Sequence, residues 1–193
     1  MTLMNHELTF IQNELKKELD EPRYQHTLGV MYTASAMAMC HGADLAQALT
    51  AGLLHDCAKC IPADEKIRMC KEHEIPVTDI EYANPGLLHA KLGAYLAEEK
   101  YGILDPVILD AIRYHTTGRP EMTLMDKIIY ISDYMEPGRK ELPNMNDVRY
   151  LAFHDIDACL YRILHDSLEY LSSTGKPLDP MTAETCQYYE NKR

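Results

Sequence analysis

The most informative part of the chain is Gly52-Leu53-Leu54-His55-Asp56-Cys57-Ala58-Lys59. It ends a segment in which Leu45, Leu49 and Leu53 recur at helical spacing, so we expect a buried helix that stops close to His55. A histidine at such an end, followed by an aspartate, presents an imidazole nitrogen and a carboxylate oxygen to one ion, and borderline transition metals bind both. The stretch therefore predicts a helical fold with a metal site in its interior.

The remainder of the chain also has helical periodicity, and alternating β-branched runs are absent, which favours an all-α bundle. A first helix carries Ile11, Leu15 and Leu19 and breaks at Asp20-Glu21-Pro22. Further helices are predicted at about 23–40, 62–73, 86–100, 105–116, 122–135 and 145–172, with a short one starting near Asp179-Pro180. A length of 193 residues predicts one domain over residues 1–193, with a core motif at 20–140 and C-terminal helices at 145–190.

The charge and composition exclude several classes of function. A formal net charge of −11 argues against binding nucleic acid, and any phosphate site must be locally positive. No apolar run approaches the roughly 20 residues that cross a bilayer, and the N-terminus lacks the features of a signal peptide. We therefore expect a cytoplasmic protein without a membrane partner, whose six cysteines are reduced.

The other ligands for an ion must come from elsewhere in the chain. His26 follows the break at Pro22, and Asp133 follows an apolar helical stretch in which an unpaired carboxylate is costly to bury. His89 and His115 lie between them, again within mainly apolar helices. The sequence thus predicts a mixed set of imidazole and carboxylate ligands drawn from several helices.

Two other patterns have metal-binding spacing. Cys57, Cys60, Cys70 and His73 follow the order of a structural zinc site, although the gap in the middle is short. The His-Asp dipeptide also recurs at 154–155 and 165–166, which would lie on the same side of one helix but lack further ligands. A non-catalytic zinc-binding interaction module is accordingly one alternative to an enzyme.

The order H…HD…H…H…D over residues 26–133 resembles the HD-domain metal phosphohydrolases, and within them the bacterial YqeK family. The stretches that carry the resemblance are Arg23-Tyr24-Gln25-His26, residues 52–59, His115-Thr116-Thr117-Gly118 and Ile131-Ser132-Asp133-Tyr134-Met135-Glu136-Pro137-Gly138-Arg139. The resemblance implies a single HD-domain helical bundle that cleaves diadenosine tetraphosphate symmetrically to two ADP with a metal-activated water. An HD nucleotidase or phosphodiesterase acting on another nucleotide is the second alternative.

The resemblance also implies roles for individual residues. His26, His55, Asp56 and Asp133 would bind iron (Fe²⁺ or Fe³⁺), as one or two ions, with Mn²⁺ as a substitute. Asp56 and Lys59 are the expected catalytic residues. The residues expected to contact the substrate are Arg23, His89, His115, Asp133, Arg139 and Thr182. His89 and His115 would alternatively hold a second metal, which a bridging Asp56 would share with the first.

The C-terminal segment is the last candidate region. Asp179 and Pro180 predict a helix start whose free amides form an anion site beside Thr182, with Tyr188 or Tyr189 stacking on a base. Thr185-Cys186-Gln187 departs from the residues usual in the family at this place. A homodimer is left open as an assembly.

Overall fold

The architecture is helical throughout the part of the chain that this computed structural model describes, residues 2–174 and 178–192, with side chains described for residues 7–173 and 178–192. No strand occurs in those residues, so the predicted all-α class is confirmed. The helices are α1 (Thr2–Glu18), α2 (Glu21–His41), α3 (Leu45–Leu54), α4 (Ala63–Glu72), α5 (Asp79–Ala83), a 3₁₀-helix (Pro85–Leu88), α6 (His89–Glu99), α7 (Pro106–Tyr114), α8 (Leu124–Met135), α9 (Met145–His154), α10 (Ile156–Thr174) and α11 (Pro180–Glu190).

Side-chain caps explain where the site-bearing helices begin. Asp20 accepts a hydrogen bond from the amide of Arg23 at 2.8 Å, which starts α2 and places Arg23 and His26 in its first two turns. Thr123 and Asp126 form a reciprocal capping box at the start of α8. Such caps satisfy amides that have no partner within a helix. They set the register in which each helix presents its functional side chains.

The centre of the bundle is formed by α2, α3, α7 and α8. The helix α2 packs closely on α3 at Gly52, where a Cβ atom would lie only 2.8 Å from the Cα atom of Met31. A side chain at residue 52 would therefore push the two backbones apart. The hydrophobic core includes buried side chains from Ile11 in α1 to Tyr189 in α11, and a smaller cluster lies beneath α4 around Cys70.

Two sequence-based predictions of the fold need correction. The helix expected over 145–172 is two helices, because Asp155 has extended backbone angles and its carboxylate accepts the amide of Ala158 at 3.0 Å. His154–Asp155 and His165–Asp166 consequently lie on different helices. The five-residue helix α5 was not predicted, since it is held mainly by its own capping box.

The last helix, α11, begins where the sequence predicts, but its packing differs from the prediction. Asp179 caps it by accepting the amide of Met181 at 2.9 Å. Tyr189, however, is buried, and its hydroxyl accepts the amide of Met122 at 2.9 Å, so its predicted stacking on a base is wrong. The ring of Tyr188 lies beneath the ammonium of Lys192, in a cavity that Thr182 does not line.

Candidate metal centre

The predicted ligands come together although they are far apart in sequence. His26 lies near the start of α2, and His55 and Asp56 follow the end of α3. His89 begins α6, His115 follows α7, and Asp133 lies in the last turn of α8. Since five helices contribute, the centre exists only in the folded protein.

Local backbone contacts orient three of the four imidazoles. The Nδ1 atom of His55 lies 2.8 Å from the carbonyl oxygen of Gly52, three residues earlier. The same contact joins His89 to Gly86 at 2.5 Å and His115 to Ile112 at 2.7 Å. Each Nδ1 therefore donates a proton to a carbonyl, which leaves Nε2 as the atom able to bind a metal.

The fourth imidazole is oriented by a carboxylate that the sequence reasoning did not assign. Nδ1 of His26 lies 3.0 Å from Oε1 of Glu136, which is buried, and the amide of Gly138 donates to Oε2 of Glu136 at 2.5 Å. Gly29 makes room for this carboxylate, because a Cβ atom at residue 29 would approach Oε2 to 2.4 Å. Glu136 lies within the quoted Ser132–Arg139 motif, so its presence was visible in the sequence while its contact was not.

The carboxylate of Asp56 divides the centre into two sides. On the Oδ2 side, Nε2 of His55 lies at 3.4 Å and Nε2 of His26 at 3.7 Å from this oxygen. Oδ1 of Asp133 closes the group, 3.0 Å from Nε2 of His26 and 3.7 Å from Nε2 of His55. These are the four residues expected from the sequence to bind the first ion.

On the other side, the Oδ1 atom of Asp56 lies 3.2 Å from Nε2 of His89 and 3.6 Å from Nε2 of His115. The Nζ atom of Lys59 lies 3.1 Å from Nε2 of His89 and 3.7 Å from Oδ1 of Asp56. The Oγ1 atom of Thr116 is 3.2 Å from both imidazoles. Positive charge on this side thus comes from a lysine of the chain.

The charges of the two sides differ. Burial on its own would lower the pKa of His55, but the carboxylates of Asp56 and Asp133 outweigh it and raise that pKa to about 10. Burial would raise the pKa of Asp56 and of Asp133, but the neighbouring imidazoles hold each pKa well below its usual range. Burial lowers the pKa of His89 to about 4, so this imidazole is neutral. The Oδ2 side therefore has two carboxylates around a protonated His55, and a metal that binds there would displace that proton.

The donor atoms fit a divalent metal. His26 Nε2, His55 Nε2 and Asp56 Oδ1 are buried and make no hydrogen bond of good angle, although donor or acceptor atoms lie nearby. The side chains of His26, His55 and Asp56 offer donor atoms within 4.8 Å of one another, and so do those of Asp56, His89 and His115. An orphaned polar atom in the interior is costly unless a ligand satisfies it. Mixed imidazole and carboxylate donors suit iron, manganese and zinc.

Two arginines border the centre as the sequence predicted. Nη1 of Arg23 lies 2.6 Å from Oδ2 of Asp56. Arg139 turns back from the loop after α8, and its guanidinium contacts both the carboxylate and the carbonyl oxygen of Asp133. Both guanidinium groups are partly exposed, so they provide positive charge where a polyphosphate would approach a chain of net charge −11.

Thr182 lies farther from this cluster than the other predicted residues. It is buried in the first turn of α11 and lines a cavity of about 780 Å³ together with Thr116. Thr116, whose hydroxyl contacts two of the imidazoles, was within the quoted His115–Gly118 motif but was not singled out. The cavity connects the C-terminal helix to the metal centre through this threonine.

The cysteine alternative is not supported. Cys57 is buried, and its thiol donates to the carbonyl oxygen of Gly93, while Cys60 is exposed. Cys70 packs in the separate cluster beneath α4. Among the side chains that the structure describes, none of the groups able to hold an ion contains a cysteine. The alternative prediction of a zinc-binding interaction module is therefore wrong.

Comparisons with known proteins agree with this geometry. The family model described as "HD domain" matches residues 23–138. The protein named "Bis(5'-nucleosyl)-tetraphosphatase, symmetrical" from Bacillus subtilis (strain 168) is 42% identical over 168 residues, which cover 87% of this chain and 89% of that protein. The protein of the same name from Staphylococcus aureus (strain NCTC 8325 / PS 47) is 34% identical, with 90% of each chain covered.

A solved structure extends the similarity to three dimensions. The crystal structure described as a predicted HD superfamily hydrolase involved in NAD metabolism, from Clostridium acetobutylicum, has a TM-score of 0.92 and 38% identity. The match covers 96% of this chain and 97% of that one. None of the described helices is long and apolar enough to cross a membrane. The chain belongs to the HD-domain family and, within it, to the YqeK family that its own motifs resemble.

Proposed function

We propose that this chain hydrolyses diadenosine tetraphosphate symmetrically and releases two molecules of ADP. The observation that carries the proposal is the buried cluster of four imidazoles and two carboxylates, centred on Asp56, with Arg23, Lys59 and Arg139 beside it. The relatives that share most of the chain are named for this activity. A metal site bordered by basic side chains is suited to a polyphosphate substrate.

His26, His55, Asp56 and Asp133 are the proposed ligands of a divalent metal, with iron as the resident ion and Mn²⁺ as a substitute. Their donors are nitrogen and oxygen without cysteine sulfur, which is compatible with iron and manganese. Such a metal polarises phosphate oxygens and lowers the pKa of a water from ~15.7 toward neutrality. Elemental analysis of anaerobically purified protein tests the ion and its count; zinc alone would overturn the choice of iron.

The side chains around the ligands have proposed roles of their own. Arg23 and Arg139 bind phosphate oxygens, to which a guanidinium can donate two parallel hydrogen bonds. Lys59, whose Nζ atom lies 3.1 Å from Nε2 of the neutral His89, stabilises charge on the departing phosphate. Since Lys59 already supplies a cation there, we favour phosphate contact over a second ion as the role of His89 and His115.

Chromatography of the reaction products tests the activity. The purified protein, incubated with diadenosine tetraphosphate, is expected to produce ADP only. Equal amounts of ATP and AMP would show asymmetric attack and contradict the proposal. A parallel set of nucleotides and cyclic nucleotides would reveal an HD nucleotidase or phosphodiesterase instead.

A homodimer is supported by the composition of α2. No Lys, Arg, Asp or Glu occurs from residue 24 to residue 40, although a quarter of the chain is charged. Tyr32 and Met39 on this helix, and Tyr150 on α9, are exposed. Light scattering measures the mass directly, and a monomer at micromolar concentration would contradict the dimer. The cytoplasmic location stays a prediction.

A further inference from the structure

The helix α4 contains a buried lysine for which the proposed chemistry has no use. Lys66 is only 5% exposed, whereas Lys71 on the same helix is exposed. It shares the inner face of α4 with Cys70, which packs in the smaller cluster beneath this helix. A lysine is rarely buried to this extent without a partner of opposite charge, because its ammonium loses its hydration.

No such partner is found for Lys66. Among the side chains described for residues 7–173 and 178–192, no carboxylate forms an ion pair with it. Its ammonium donates instead to the carbonyl oxygen of Lys59 at 3.0 Å. Burial lowers the pKa of Lys66, and the like charge of Lys59 lowers this pKa further. The buried ammonium therefore costs the fold free energy, and apolar packing alone does not require it.

The acceptor of this hydrogen bond belongs to the turn that follows α3. The amide of Lys59 donates to the carbonyl oxygen of Asp56 at 2.9 Å, and Lys66 holds the carbonyl oxygen of Lys59. Both backbone polar groups of Lys59 are thus fixed. Its Nζ atom lies 3.1 Å from Nε2 of His89. A lysine has a flexible four-carbon stem, so a fixed backbone limits where its ammonium can lie.

We propose that Lys66 is a positioning residue, which holds the turn at Lys59 in place and thereby keeps the Lys59 ammonium beside His89. This inference rests on the proposed function, in which Lys59 stabilises charge on the departing phosphate. An ammonium suits the task better than a neutral donor, because a charge-assisted hydrogen bond is stronger than a neutral one. Repulsion between the two lysines is offset when a polyphosphate binds, since its negative charge attracts both.

Lys66→Met separates this role from packing. Methionine is an equally good helix former and adapts to apolar surroundings. The midpoint of thermal unfolding is expected to stay the same or rise, because a buried charge is removed, and metal content is expected to stay at the wild-type level. The kcat is expected to fall about tenfold, less than the roughly 10²-fold that a misplacement of ~1 Å can cost. The KM is expected to change far less, since the charge that Lys59 stabilises develops during the reaction.

A double-variant cycle tests whether Lys66 acts through Lys59. Lys59→Met is expected to lower kcat more than Lys66→Met does, and the double variant is expected to match Lys59→Met alone. Lys66→Arg keeps a charged donor, so its kcat is expected to lie within about twofold of wild type. Lys71→Met is the matched control, because it removes an exposed lysine from the same helix and should leave kcat and thermal stability unaltered.

Several outcomes would overturn the proposal. Wild-type kcat in Lys66→Met would do so. Additive losses in the double variant, or a Lys66→Met protein that does not fold, would show that the ammonium serves the fold alone. The crystal structure of Lys66→Met needs no substrate: Nζ of Lys59 is expected to leave its place beside Nε2 of His89, and an unmoved Lys59 would reject the role of Lys66. The proposed function fails separately, if the wild-type protein releases no ADP from diadenosine tetraphosphate.

Discussion

The dipeptides His55–Asp56 and His154–Asp155 have the same two residues at the end of a helix. Both histidines place Nδ1 against a carbonyl oxygen of the preceding turn, at 2.8 Å from Gly52 and at 2.7 Å from Tyr150. Asp56 is buried among imidazoles from four helices, whereas Asp155 is exposed and caps the helix that follows.

The difference shows what makes a His-Asp pair a metal site. The local geometry of the two histidines is nearly the same, so it does not distinguish them. Burial and the arrival of further donors do, because a buried carboxylate needs a compensating charge while an exposed one is solvated.

Asp56→Ala is expected to abolish activity, by about 10⁴-fold or more, as when a residue on which a whole site depends is removed. It is also expected to lose the metal, because Asp56 is the carboxylate common to both sides of the centre. Steady-state kinetics and elemental analysis measure the two losses. Full metal occupancy in this variant would remove Asp56 from the ligand set.

Asp155→Ala is the matched control for that variant. It removes a carboxylate from the other dipeptide and with it a helix cap, which costs ~1 kcal/mol in the free energy of unfolding. Thermal unfolding is expected to show that small loss while kcat and metal content stay at wild-type values. A large loss of activity would mean that the comparison between the two dipeptides is mistaken.

Arg139→Ala tests the guanidinium that lies beside Asp133. Turnover is expected to fall by roughly 10²- to 10³-fold, the usual effect of removing one group that stabilises transition-state charge. Metal content is expected to change far less. Arg149→Ala, which breaks an exposed pair with Glu141, serves as the control and should leave kcat unaltered. Wild-type kinetics for Arg139→Ala would show that the loop does not serve the reaction.

Glu136→Gln tests the carboxylate that orients His26. The hydrogen bond described for His154 goes to a backbone carbonyl instead. We expect metal affinity to fall by roughly 10- to 100-fold, as is typical when the partner of a ligating histidine is changed. A competition titration with a chelator measures this. Unchanged affinity would mean that His26 is oriented by packing alone.

Gly29→Ala tests the same contact independently, because it is expected to keep thermal stability and to lower metal affinity. Alanine is favoured over glycine in a helix by ~1 kcal/mol, so the metal-free protein should not lose thermal stability from the helix itself. The added Cβ displaces the Glu136 carboxylate, so metal affinity is expected to fall as it does in Glu136→Gln. A stable variant with wild-type affinity would contradict the role of Glu136.

Thr182→Val is expected to have the smallest effect. The substitution keeps the shape of a side chain that lines the cavity of about 780 Å³ beside Thr116 and removes its hydroxyl. The KM for diadenosine tetraphosphate should rise several-fold, by the roughly 1 kcal/mol of one hydrogen bond, while kcat stays near wild type. An unaltered KM would limit Thr182 to packing.

Much of the fold was predictable because helix signals are local. Capping by Asp20 and Asp179 and the apolar spacing before His55 lie within a few residues of the features they explain. The break at Asp155 was missed because helical spacing continues on both sides of this residue. A single carboxylate, which caps the second helix, marks the break. The confirmed results are the all-helical fold and the family, while the single-domain organisation and the residue roles stay predictions.

The candidate site was predictable as a set of residue types and not as a set of contacts. His26, the His55–Asp56 pair and Asp133 could be placed on three separate helices, but their convergence depends on how those helices pack. Glu136 illustrates the limit, since its partner His26 lies 110 residues earlier in the chain. The cavity that Thr116 shares with Thr182 likewise combines residues from distant segments, and no pattern in the linear sequence joins them.

The contacts between the imidazoles and the carbonyl oxygens three residues before them have a consequence for assembly. His55, His89 and His115 each acquire the direction of their free nitrogen from their own turn of chain. That direction is available as soon as the turn forms, before distant helices dock. The rings therefore keep their direction whether or not an ion is bound, and binding an ion costs them little rotamer freedom.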